Sequence, residues 1–184
     1  MPHSSASLAH SARAPGDLAD APFSAPSGKP YRSALGRFAT GVTVITALGP
    51  DGPFGFTANS FTSVSLEPAL VLFCQKHSAG SYDGFARADA LAINILSAGQ
   101  QDLAMVFAGR SDDKFAGVGW TQSCAGGPPL LRDASAQLEC TPHQRVAAGD
   151  HDVIICQVTG FRDGGLPPLG YCGGAFFTPA AARA

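Results

Sequence analysis

The strongest constraint on this chain is its punctuation: short β-branched or apolar runs alternate with turn residues, and 22 glycines and 14 prolines are spread over 184 residues. Val42-Thr-Val-Ile-Thr46 reads as a strand, Gly49-Pro-Asp-Gly-Pro53 as a turn, and Phe54 to Thr57 as the returning arm of a hairpin. Ala69 to Cys74, after Glu67-Pro68, predicts a buried strand, as does Leu91 to Leu96. Ser135 to Cys140, Val153 to Phe161 and Tyr171 to Phe177 continue the β pattern. Helices are brief. Tyr31, Ala34, Leu35 and Phe38 recur at helical spacing within Tyr31 to Thr40, and Gly41 stops that helix. A second follows Ser78 or Ser81, either of which can cap it, with Tyr82 and Phe85 on one face. A third opens on the capping box Ser97-Ala-Gly-Gln100, with Leu103, Val106 and Phe107 on one side. Strands do not alternate with long helices, which argues against a doubly wound parallel sheet. The pattern predicts a mainly β fold, a β-barrel decorated with short helices.

One domain fits the length. Residues 1–30 are Ser, Ala, Pro and Gly with scattered charge, and read as a flexible tail before a domain over 31–184; His3 and His10 lie in it. No run approaches the roughly 20 apolar residues of a spanning helix, so no membrane association is expected. A formal net charge of −2 gives no bias toward phosphate backbones, and no basic patch stands out, so nucleic acid is not an expected partner. Only 14% of residues are charged, against a usual figure of about 25%, which modestly favours burial of some surface in a homodimer. Five cysteines without a Cys-x-x-Cys pair read as free thiols in the cytoplasm, with no metal site.

Three segments carry candidate chemistry. Dinucleotide, phosphate-loop, nucleophile-elbow and zinc-protease motifs are missing, so a nicotinamide nucleotide would need a surface other than a Rossmann fold. Gly55 to Ser65 offers Thr57, Asn59, Ser60, Thr62, Ser63 and Ser65 as neutral donors and acceptors, with Ala58 small enough to let a ligand approach the backbone. On its own such a strip reads first as a polar strand end with turn-forming Asn59; it also suits the edge of a flat heterocycle. Gln75-Lys76-His77-Ser78 and Ser81 could hold a phosphate or simply cap a helix. In Gly149-Asp150-His151-Asp152 the imidazole stands between two carboxylates, which could fix its tautomer or serve structure alone. A metal here is disfavoured because adjacent strand residues point to opposite faces.

Taken in order, Arg37 to Thr46, Gly55 to Ser60, Ser63 to Pro68, Ala92 to Leu96, Phe107-Ala108, Asp113-Lys-Phe115, Gly149 to His151 and Tyr171 to Phe176 resemble the short-chain flavin reductases with the FMN-binding split β-barrel fold. These are the reductase components of two-component monooxygenases. The resemblance implies a homodimeric split barrel that transfers hydride from NADH or NADPH to FMN or FAD and supplies reduced flavin to a partner oxygenase. It implies flavin contacts from Thr57, Ala58, Asn59, Ser60, Ser63, Ser65 and Phe107, with Gln75, Lys76, His77, Ser78 and Ser81 near the phosphate. It also implies nicotinamide contacts from His151, Tyr171 and Gly174, and no acid–base dyad, because the cofactors carry the chemistry. Ala69 stands where a second proline is frequent, and Cys172 and Gly173 where bulkier or polar residues are common. A flavin-binding electron-transfer or storage protein of the same fold is the alternative reading.

Overall fold

A computed structural model describes residues 22–180 except Asp112. Along the chain lie α1 (Gly28–Leu35), β1 (Thr40–Gly41), β2 (Thr43–Gly49), β3 (Gly52–Ala58), β4 (Thr62–Leu66), β5 (Ala69–Lys76), α2 (Tyr82–Arg87), β6 (Leu91–Ile95) and α3 (Gln101–Ala108). Next come β7 (Trp120–Thr121), β8 (Leu130–Leu131), β9 (Ala136–Ala148), β10 (His151–Asp163), β11 (Gly170–Cys172) and β12 (Ala175–Phe177). The molecule is mainly β with short helices, as its punctuation predicts. The tail reading lies largely outside the described residues, as do His3 and His10; at its near end α1 already begins at Gly28.

Seven antiparallel strands form the main sheet in the order β3-β2-β6-β9-β10-β5-β4. Its edges, β3 and β4, are consecutive in the chain and only Asn59 to Phe61 separates them. No ladder joins them among the described residues, so the sheet is not closed. β2 is buried on both faces because its residues alternate between two cores. Ile45 and Ala47 join Phe73, Ile93, Cys140 and Ile154 in the first; Val44, with Val42 just before the strand, joins Leu96, Phe107, Leu131 and Leu169 in the second. Phe85 of α2 is fully buried in the first core and meets Phe54 and Phe56 edge-on, at centroid distances of 4.8 and 5.2 Å. Such pairs add about 0.5–1.5 kcal/mol each beyond area burial.

The structure revises several element readings. The first helix ends at Gly36, before Phe38, and buries none of its residues: three turns' worth of helical spacing found no core to pack on. In α3 the inward residues are Ala104 and Phe107, with Leu103 half-buried, while Val106 is exposed. The capping box is half formed, since Gln100 Oε1 accepts the Ser97 N–H at 3.0 Å but no side chain caps the helix in return. Ser81 occupies the N-cap of α2 without a side-chain capping bond. β9 and β10 each run to 13 residues, well beyond the apolar cores that reveal them, because the outer half of β9 is polar and exposed. Pro142, which has no N–H to give, sits at a register shift in that ladder.

Candidate active site

The β2–β3 hairpin, the turn after β5 and the segment after α3 enclose a cleft of about 710 Å³. Pro53 to Thr57 form one wall, Ser78 to Ser81 a second, and Phe107 to Ser111 with Lys114 and Phe115 a third. Gly55 allows the close approach of these elements. A Cβ there would stand 2.7 Å from the Ile45 carbonyl oxygen and 3.1 Å from the Phe107 ring. Thr57 donates to the Ala104 carbonyl at 2.6 Å, tying β3 to α3 and keeping its oxygen lone pairs available. Lys114 donates to the carbonyls of Phe107 at 2.8 Å and Gly55 at 3.4 Å, and partial burial pushes its pKa below the usual lysine value. Arg110 adds a second cation, and no Asp or Glu is among the described residues lining the cleft. The cleft therefore favours an anion with a flat or apolar body.

Four residues singled out in the sequence meet here: Thr57, Ser78, Ser81 and Phe107. Gln75 lies behind them, fully buried, with its Nε2 3.5 Å from Ser81 Oγ and its Oε1 without a partner. The rest of the polar strip is placed elsewhere. Ala58 is buried in the first core, Asn59 is exposed in the link to β4, and Ser60 straps that link to Cys74, accepting its N–H at 2.9 Å. Ser63 and Ser65 lie on the edge strand β4, where Ser65 accepts the Glu67 N–H. Lys76 is exposed and pairs with Asp150 at 3.6 Å, while His77 Nε2 lies 2.8 Å from Asp152 Oδ1. Their side-chain bonds are to β10 and its turn, not to the cleft.

His151 contacts one carboxylate, not two: Nδ1 is 2.7 Å from Asp150 Oδ1, and Asp152 serves His77 and Tyr82 on the other side of the strand. Period-two alternation in β10 separates them. The hydrogen bonds from His77 and Tyr82 hold the Asp152 carboxyl below the usual carboxylate range, and the one to His151 does so for Asp150. Tyr171 packs against Phe176 at 5.3 Å beside the second core, and Gly174 turns β11 into β12 with φ of 89°. Neither lines the cleft. No cluster of His, Cys, Asp or Glu that could hold a metal occurs among the described residues, and none of their helices is long and apolar enough to cross a membrane. Arg110 and Ser111 are not singled out in the sequence, and Lys114 enters it only as part of the stretch Asp113-Lys-Phe115 that carries the resemblance, with no site role. The available signal is the pair of cations two and six residues after α3, the second of them inside that stretch.

A family profile described as "Flavin reductase like domain" matches residues 35–180. The chain belongs to that family. It is 49% identical over 150 residues to the reductase component of flavin-dependent trigonelline monooxygenase from Acinetobacter baylyi, covering 81% of this chain and 48% of that protein. It is 38% identical over 168 residues to the FMN reductase (NADH) RutF of Pseudomonas syringae, covering 87% of this chain and 94% of that one. A solved structure of Streptomyces globisporus NADH:FAD oxidoreductase SgcE6, in complex with NAD and FAD fragments, aligns with a TM-score of 0.83 at 36% identity, covering 89% of this chain and all of that one. The chain thus spans about half the length of the Acinetobacter protein and nearly all of the other two.

Proposed function

We propose that this flavin reductase domain transfers hydride from NADH or NADPH to FMN or FAD and supplies the reduced flavin to a partner monooxygenase. The observation that carries the reading is the anion-favouring cleft, two of whose walls meet across Gly55, in a chain of this family. A flavin fits the donor set. The cleft has an aromatic floor at Phe107 and neutral hydroxyls at Thr57, Ser78 and Ser81. Arg110 and Lys114 supply positive charge for a phosphate, and the unpartnered Gln75 Oε1 behind Ser81 suits a donor hydroxyl. A bound flavin accepts hydride from the nicotinamide; the protein's own part is alignment. Phe107 and the β3 wall orient the ring, Lys114 and Arg110 offset the phosphate charge, and His151, half-exposed and oriented by Asp150, contacts the nicotinamide nucleotide. Tyr171 and Gly174 contribute to that second surface from the β11–β12 hairpin.

The same reading makes the unclosed sheet a split β-barrel. Asn59 to Phe61 reach at most about 14 Å between Ala58 and Thr62, so the two edges curl toward each other across an open seam. It also makes the protein a homodimer, which accounts for the low charge and for the exposed apolar Leu66, Val64 and Phe161. Five free cysteines fit the reducing cytoplasm. NADH consumption in air with and without added FMN or FAD tests the function. Flavin-dependent turnover is the expected result; binding of flavin with no nicotinamide oxidation would leave an electron carrier instead.

A further inference from the structure

Behind the serine turn, three side chains form a polar cluster that the cleft does not contain. Asp152 is 9% exposed; its Oδ1 is 2.8 Å from His77 Nε2, and its Oδ2 accepts the Tyr82 hydroxyl at 2.8 Å. The His77 and Tyr82 rings meet edge-on at a centroid distance of 5.2 Å. His77 is held a second time, its backbone N–H donating to the Asp150 carbonyl at 3.0 Å. These two aromatic residues bracket the turn that carries Ser78 and Ser81 into the cleft. One carboxylate on β10 therefore grips the turn at both ends. The adjacent His151 projects to the other side of the strand, where it takes Asp150.

We propose that Asp152 is a positioning residue: through His77 and Tyr82 it fixes the Ser78–Ser81 turn against β10 and so sets how tightly the cleft holds the phosphate end of a flavin. This rests on the flavin reading of the cleft. A carboxylate that accepts two hydrogen bonds fixes two side chains at once, and a small displacement of the turn moves its hydroxyls out of hydrogen-bond reach. The isoalloxazine contacts, on β3 and Phe107, lie on other elements and keep their geometry.

The test is titration of FMN and of riboflavin, which lacks the phosphate, by flavin fluorescence. It uses the full chain and the variants Asp152→Ala, Tyr82→Phe and Ser78→Trp. Asp152→Ala is expected to weaken FMN about tenfold and riboflavin less than about twofold, with Tyr82→Phe shifting the ratio the same way by a smaller factor. Equal weakening of both flavins, or an unchanged ratio, overturns the proposal; if Asp152→Ala does not fold, Tyr82→Phe decides it alone. Ser78→Trp, which fills the cleft, is expected to abolish binding of both. If it leaves FMN affinity intact, the cleft is not the flavin site, and the inference falls with that reading rather than on its own.

Discussion

Buried thiols show how environment rather than residue type decides reactivity. Burial pushes the pKa of both Cys140 and Cys156 up to about 12, so neither carries appreciable thiolate near neutral pH, whereas Cys124 is exposed. Titration of the native protein with a thiol reagent at pH 8 is expected to modify Cys124 quickly and to reach Cys140 and Cys156 only after unfolding. Asp152 carries the opposite shift. Its folded-state pKa is depressed by the bonds from His77 and Tyr82, so its contribution to stability is complete above the ordinary carboxylate range and is lost as pH falls through it. Asp152→Asn should therefore flatten the acid limb of the stability curve below about pH 4, measured by denaturant unfolding across pH. For His151 the expectation is kinetic. His151→Ala raises the KM for the nicotinamide nucleotide several-fold and leaves flavin affinity nearly unchanged, because its ring stands outside the cleft; equal loss of both would place it in the flavin site.

At the scale of elements, a buried polar network pins β8 to the sheet. Asn94 donates to the Val44 carbonyl and to Thr46 Oγ1, both at 3.1 Å, and accepts the Leu131 N–H at 2.8 Å. Gln137 donates to the Leu131 carbonyl at 2.6 Å. Asn94→Ala strips four bonds from a fully buried site, the fourth being the one Asn94 Oδ1 accepts from Gln137 Nε2 at 3.5 Å, and is expected to cost about 2–4 kcal/mol in chemical denaturation, through the groups it leaves unpaired. A loss under about 0.5 kcal/mol would mean water replaces the amide. Strands with an apolar run were legible in the sequence: β2, β5, β6 and the inner parts of β9 and β10. The outer half of β9 was not, because an exposed ladder has no periodic burial to print on the residues. Phe38, exposed beyond the end of α1, shows the converse, a helical spacing without a core. The site was half legible for a related reason. Polar residues on β3 and the serine turn stand out among apolar neighbours, but whether Ser60 faces a ligand or straps Cys74 depends on which edge of the sheet curls where, and that is a long-range property. Arg110 and Lys114 look like ordinary surface cations until the hairpin and α3 bring the cleft walls together.

For the molecule as a whole, the exposed apolar residues on β4 and β10 predict association. Light scattering behind size exclusion should give twice the mass of the chain, and Phe161→Asp with Leu66→Asp should shift it to the monomer. A monomeric wild type would remove that explanation of the low charge. The sheet order places the two edge strands, β3 and β4, on either side of a three-residue link, and the cleft opens along β3 beside it. A groove of this kind suits the proposed release of reduced flavin to a partner. The most direct test of the account is anaerobic mixing of the protein and one equivalent of FMN with NADH in a stopped-flow spectrometer. The expected result is loss of the oxidised-flavin absorbance at a rate that saturates with NADH and disappears in Ser78→Trp; a flavin that binds yet keeps its oxidised spectrum under excess NADH and excess NADPH would contradict hydride transfer in this cleft.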